Sequence, residues 1–198
     1  MHTEAKSALR RRLLAARRAV GAPQRSAEAA ALTAALTAAI AERAPDTVCG
    51  YVPVGSEPGS ISLLDALDAA GVRVLLPVTV LDDDGGPGPL RWGRYRPAGL
   101  VAARYGLQEP DGPVLPAKEI GAAQLIVVPA LAVDRRGGRL GRGAGFYDRS
   151  LPLRAPGTPL IAVVRDEEVL DEVPTGPHDV AMTHLATPGL GVRAVSAP

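Results

Sequence analysis

The chain has 198 residues and a formal net charge of +1, with 46% hydrophobic residues but only 3% aromatic ones. That length suffices for one domain with a core of Ala, Val, Leu and Ile, and the near-neutral balance does not suggest a nucleic-acid partner held by bulk charge. The single cysteine, Cys49, excludes an internal disulfide and a CxxC site, and no apolar run reaches membrane-spanning length.

The first twenty residues lack the continuous apolar stretch of a secretion signal. Their Arg-rich amphipathic character resembles a mitochondrial presequence, but they run into a second helical pattern with no cleavage-like boundary. A cytoplasmic protein is therefore expected. From Thr3 to Ala19, Leu9, Leu13 and Leu14 fall near one helical face among arginines. Gly21-Ala22-Pro23 breaks this helix, and the Ala-rich stretch Ser26–Ala44 forms the next. "TVCGYVPV" reads as a buried strand. "SISLLDALDAAG" reads as a helix capped by Ser60 or Ser62 and stopped at Gly71. "VRVLLPVTVL" is a strand, "DDDGGPGP" a turn, and "LRWGRYR" pairs back as a hairpin. The most apolar run, Leu125–Asp134, reads as one central strand. A short helix follows from about Gly145 to Pro152. "PLIAVVRD" is a strand, "DEEVLDEV" a helical segment, and "MTHLATP" a last edge strand. Strands alternating with helices predict a single α/β domain over residues 1–198. Its sheet is mostly parallel, with helices on both faces in a Rossmann-like three-layer arrangement.

The stretch "GGRLGRGAGFYDRSL", Gly137–Leu151, carries five glycines and three arginines. A strand, a glycine-rich turn and then a helix present backbone N–H groups to an anion. Gly141, Gly143 and Gly145 allow positive φ and close ligand approach, while Arg139 and Arg142 can neutralise phosphate oxygens. Neither a P-loop nor a dinucleotide fingerprint fits, since no Lys-Ser/Thr follows and Phe146 stands where the latter needs glycine. Two readings stay open: a phosphate cradle, or a surface turn with solvated arginines. Asp148 is likewise either a favourable charge near a helix start or a Mg²⁺ ligand beside phosphates.

"GRGAGFYDRSL" resembles the signature of the 5-formyltetrahydrofolate cyclo-ligase family. Four further segments resemble that family in its own order: "KSALRRRLLAARRAV", "YVPVGSEPGSISLL", "YGLQEP" and "VPTGPHDVAMTHLATP". The resemblance implies ATP-dependent conversion of 5-formyltetrahydrofolate to 5,10-methenyltetrahydrofolate, through phosphorylation of the formyl oxygen and ring closure by N10. It implies ATP as co-substrate, Mg²⁺, and a monomer that needs neither nucleic acid nor membrane.

Carried over by position, the resemblance implies that Lys6, Arg10 and the run Arg139, Leu140, Gly141, Arg142, Gly143, Ala144, Gly145, Phe146, Tyr147 contact ATP. Arg142 and Tyr147 would be catalytic. Val52, Glu57, Tyr105 and Arg142 to Phe146 would contact the folate, and Asp148 with Asp179 would hold Mg²⁺. Without the resemblance, Lys6 and Arg10 read as solvated charge, with Arg11, Arg12, Arg17 and Arg18 as competitors. Ala144 stands where the family often has Gly or Lys, and Phe146 where Tyr is frequent. The acidic "VVRDEEV" replaces a segment that often carries Gln. His178 and His184 do not complete a zinc set and read as structural. A rival reading is a non-catalytic relative that binds nucleotide or RNA. Retention of Lys6, Glu57 and Asp148, with no basic tail, opposes it.

Overall fold

A computed structural model describes residues 2–82, 84–176 and 178–196, with His2, Thr3 and Tyr105 described by backbone alone. Two long helices open the chain, α1 (His2–Ala19) and α2 (Ala22–Ala41). Pro23 sits in the first turn of α2, where its missing N–H costs no helical bond, so α2 starts four residues earlier than the sequence suggests. Then come β1 (Thr47–Cys49), α3 (Ile61–Ala69), β2 (Arg73–Val78), β3 (Arg91–Arg94), β4 (Leu100–Ala102), β5 (Gln108–Pro110) and β6 (Leu125–Pro129). The remainder is β7 (Ala132–Asp134), β8 (Arg139–Leu140), α4 (Phe146–Ser150), β9 (Leu160–Val163), β10 (Val169–Leu170), β11 (His184–Thr187) and β12 (Gly191–Ala194).

Seven strands make the main sheet in the order β12-β11-β9-β6-β1-β2-β3. The five inner strands run parallel, while β3 and β12 are antiparallel edges. The inner strands are almost unbroken aliphatic runs because both faces are covered. On one face α2 and α3 bring Leu32, Leu36, Ile40, Leu63, Leu64 and Leu67 onto Val48, Leu125 and Val127. On the other, the short turns Ala117–Ala122 and Leu151–Leu153 bring Ile120 and Leu151 onto Cys49, Ile126 and Ala162. The α/β three-layer expectation holds, with the layer on this face made of short helical turns. Each fully buried aliphatic side chain here contributes roughly 1.5–3 kcal/mol relative to exposure.

Three local expectations are corrected. Leu125–Asp134 is two strands, broken at Ala130-Leu131: β6 lies in the main sheet, while β7 pairs with β8 and β10 in a separate small sheet. "DEEVLDEV" is a single turn, Asp166–Glu168, followed by β10. "MTHLATP" gives an inner strand, because Gly191–Ala194 folds back outside it as the true edge. The short helix expected after the glycine loop is present: Phe146–Ser150 runs on into the turn Leu151–Leu153.

Helix α1 packs by Leu9, Leu13 and Leu14 on Leu131, Ala132, Leu140 and Val173. It is also pinned by Arg17, which is 1% exposed. Its guanidinium bonds both oxygens of Glu168, at 2.6 and 2.7 Å, and the Ala130 carbonyl at 2.5 Å. Glu168 also accepts the Arg165 amide, and the Arg165 side chain forks onto Glu28 of α2 at 2.6 and 2.9 Å.

Candidate active site

From β1 the chain runs to β2 on one side, while β6, β9 and β11 build the sheet on the other. The order therefore reverses between β1 and β6, and in such sheets ligands sit beyond the carboxyl ends of the strands at that point. A cleft of about 580 Å³ opens there. Its walls include Tyr51 and Val52 after β1, Thr79 after β2, and Ala130 and Leu131 after β6. Every residue named above as a site candidate lines this cleft except Tyr105, whose side chain lies outside the described residues. Leu107 and Gln108, close behind Tyr105 in the chain, do line it.

The glycine loop is set by its entry. Asp134 accepts the amides of Arg136 and Gly138 on one oxygen and of Val173 on the other, fixing the turn between β7 and β8. Gly137 at φ +89° leaves no room for a Cβ beside the Met182 backbone. Gly143 sits at φ +107°, and a Cβ there would lie 3.2 Å from the Arg10 guanidinium. The backbone conformation favours glycine there, and a Cβ would also crowd the Arg10 guanidinium. Gly141 does not adopt positive φ, contrary to expectation; its bare Cα instead admits the Arg139 guanidinium. With α4 so short, little helix dipole acts here. Affinity for an anion at this loop would come from loop amides and side-chain cations.

Each carboxylate of the cleft is paired with one of its cations. Lys6 Nζ reaches Asp179 Oδ2 at 2.6 Å, and the Gly176 amide donates to the same oxygen. Arg139 Nη2 donates to Asp148 Oδ1 at 2.5 Å, with its guanidinium 5.8 Å from the Tyr147 ring centroid. Arg142 Nε lies 2.7 Å from Glu57 Oε1, while Glu57 Oε2 accepts the Val54 amide. Arg10 donates to the Gly141 carbonyl at 3.0 Å. Burial acts to raise the Asp179 pKa. The bonds from Lys6 and Gly176, with the charges of Lys6 and Arg139, outweigh it and hold that carboxyl below its ordinary value. Burial, then the charge of Glu57, pushes the Tyr147 phenol upward, so it stays protonated. Among the described residues its buried hydroxyl has no hydrogen-bond partner, nor has Arg139 Nε.

Among the described residues no group of three or more His, Cys, Asp or Glu could hold a metal ion. Mg²⁺ beside substrate phosphates needs only one or two carboxylates, the rest being phosphate oxygen and water. Asp148 and Asp179 fit that requirement: both line the cleft, Asp148 bonds Arg139, and the Arg139 charge acts on Asp179. His178 is exposed, and His184 sits on β11 bonded to Thr183 and Arg43, away from the cleft lining.

The sequence profile of the 5-formyltetrahydrofolate cyclo-ligase family matches residues 2–188. This chain belongs to that family. A 5-formyltetrahydrofolate cyclo-ligase of Mycolicibacterium smegmatis is 58% identical over 196 residues, covering 98% of this chain and all of the relative. The enzyme of the same name from Escherichia coli K12 is 29% identical over 144 residues, 72% of this chain and 78% of the relative. A solved 5,10-methenyltetrahydrofolate synthetase from Aquifex aeolicus superposes with a TM-score of 0.78 at 25% identity, covering 98% of this chain and 94% of that one. One from Mycoplasma pneumoniae gives 0.73 at 18% identity, covering 92% and 98%, a likeness of fold.

In this cyclo-ligase family member, sequence reasoning missed the apolar wall: Tyr51, Pro77, Leu81, Leu90, Ala130 and Leu131. The signal for the last two was present. Pro129 ends β6, and the chain turns there into the cleft. Nothing in the sequence marks Leu90, which comes to the cleft through the β2–β3 pairing.

Proposed function

We propose that the cleft converts 5-formyltetrahydrofolate to 5,10-methenyltetrahydrofolate at the expense of ATP, and that residues 1–198 act as one domain in doing so. The terminal phosphorus of ATP moves to the formyl oxygen, breaking its bond to ADP. The N10 lone pair attacks the formyl carbon, the carbon–oxygen bond breaks, phosphate departs and N10 loses its proton. A formamide oxygen is a poor leaving group and phosphate a good one. The protein's share is therefore position and charge.

The single observation that carries this reading is the convergence at the β1/β6 switch point of the glycine loop, the α1 cations and Glu57 in one cleft. Lys6 and Arg10, one helical turn apart, project from α1 with Arg139 at the loop entry and contact the triphosphate. The backbone from Leu140 to Phe146 lies along it. Asp148 and Asp179 would hold Mg²⁺, which supplies charge neutralisation at the phosphates. Glu57, held through one oxygen by the Val54 amide, accepts N–H groups of the pterin edge, with Val52 packed beside the ring and Tyr105 as its stacking partner. Arg142 faces both ligands and neutralises charge that develops between them. Tyr147 acts from behind, its protonated phenol under Arg139 keeping that guanidinium in place. All of these groups come from one copy of the chain, so a monomer suffices.

No helix of the described residues is long and apolar enough to cross a membrane. The test is direct: purified protein with ATP, Mg²⁺ and 5-formyltetrahydrofolate develops the near-ultraviolet band of the methenyl product, with one ADP per product. Absence of the band, or a band without ADP, overturns the reading.

A further inference from the structure

Arg142 spans the cleft mouth. It leaves the glycine loop and forks onto the segment after β1, with Nε 2.7 Å from Glu57 Oε1 and Nη2 donating to the Val54 carbonyl at 3.4 Å. Among the ion pairs of the described residues lining the cleft, it alone joins the loop proposed for ATP to the carboxylate proposed for the folate. Lys6–Asp179 and Arg139–Asp148 both lie within the phosphate end. The two partners are unequally wet: Glu57 is 11% exposed and Arg142 is 49% exposed.

We propose that the Arg142–Glu57 pair is a gate that makes folate affinity depend on bound nucleotide. The proposal rests on the assignment of Glu57 to the folate. With Oε2 held by the Val54 amide, Oε1 is the oxygen left to meet a ligand N–H, and Arg142 covers it. A carboxylate already neutralised by a guanidinium is a weaker acceptor for a neutral pterin. A triphosphate on the glycine loop offers Arg142 several negative charges in place of one and suits its fork. The half-exposed arginine swings to the phosphates, while Glu57, fixed by its backbone bond, remains facing the cleft uncovered. Such coupling is reciprocal, so folate must tighten nucleotide by the same factor.

The test is calorimetric titration of 5-formyltetrahydrofolate with and without a non-hydrolysable ATP analogue and Mg²⁺. In the unaltered protein the analogue tightens folate by roughly tenfold, and folate tightens the analogue equally. Arg142→Met tightens folate binding in the absence of nucleotide and shrinks the coupling below roughly twofold, an outcome that a purely structural arginine would not give. Arg142→Lys, which keeps the charge without the fork, falls between and serves if the first variant fails to fold. No coupling in the unaltered protein, or full coupling in either variant, overturns the gate. Glu57→Gln separates the two ideas. If folate affinity with the analogue bound is unchanged by it, the assignment of Glu57 to the folate fails. If that affinity falls while Arg142→Met still couples, the gate alone fails.

Discussion

Two sets of ion pairs share helix α1 and differ chiefly in their access to water. At its C-terminal end Arg17 and Glu168 are 1% and 6% exposed, and Arg17 bonds both Glu168 oxygens and the Ala130 carbonyl. At its N-terminal end Lys6 and Asp179 are 19% and 20% exposed and line an open cleft. The residues are chemically alike, and no more than eight positions of sequence separate Arg10 from any of its competitors. Burial is what divides them. A charge pair without water is held by the cost of leaving either partner alone, whereas one at a cleft mouth can be exchanged for a ligand's charges at little cost.

The comparison can be broken most readily at its buried end. Arg17→Met leaves Glu168 charged and uncompensated, which costs about 3–5 kcal/mol. For a chain of this size that lowers Tm by roughly 6–20 °C in a calorimetric scan. Arg17→Met with Glu168→Met recovers much of the loss, because two apolar side chains replace the pair without orphaning either charge. A single variant as stable as the parent would remove the distinction drawn here.

At the cleft, Asp148→Asn should lower kcat/KM for Mg²⁺–ATP by roughly 100-fold while leaving Tm nearly unchanged, since the side chain is 32% exposed and Asn can still accept from Arg139. Initial rates against ATP and a melting curve on the same preparation decide it. If stability collapses and turnover per folded molecule persists, Asp148 belongs with Arg17 and Glu168.

The smallest effect lies at Asp179. Its folded-state pKa is depressed, so its pairing stabilises the fold above the ordinary carboxylate range and is lost as pH falls through the folded value. Asp179→Asn should therefore be slightly less stable than the parent near neutrality, by about 0.2–1 kcal/mol for a pair this exposed. The gap should close in acid, read from denaturant midpoints across pH. A gap that widens in acid would reverse the sign argued here.

Much of this was legible in the residues. The aliphatic runs around Val48, Val74, Leu125 and Leu160 marked a parallel sheet because only strands covered on both faces can be apolar throughout. The punctuation at Pro23, Ser60 and Gly71 marked the helices. The density of bare backbone and arginine from Gly137 to Leu151 marked out the loop that lines the cleft. What misled was apolarity without direction. The run from Leu125 to Asp134 looks continuous, yet its second half leaves the sheet at Ala130 to build the cleft wall and seat α1. The acidic segment after Arg165 has helical composition, but pairing with β7 draws Val169 and Leu170 into a strand. Long-range pairing outweighs a weak local preference over so few residues.

The sequence by itself determined the class of fold and the family, since periodicity, turn chemistry and motif order are local properties carried in the chain. Only the tertiary structure decided which of six similar cations on α1 line the open cleft and which is locked in the interior. It also decided that Arg142 reaches Glu57 from 85 residues away in the chain. Solvent exposure and the meeting of distant segments are properties of the assembled sheet, and the electrostatic character of every charged group in this cleft follows from them.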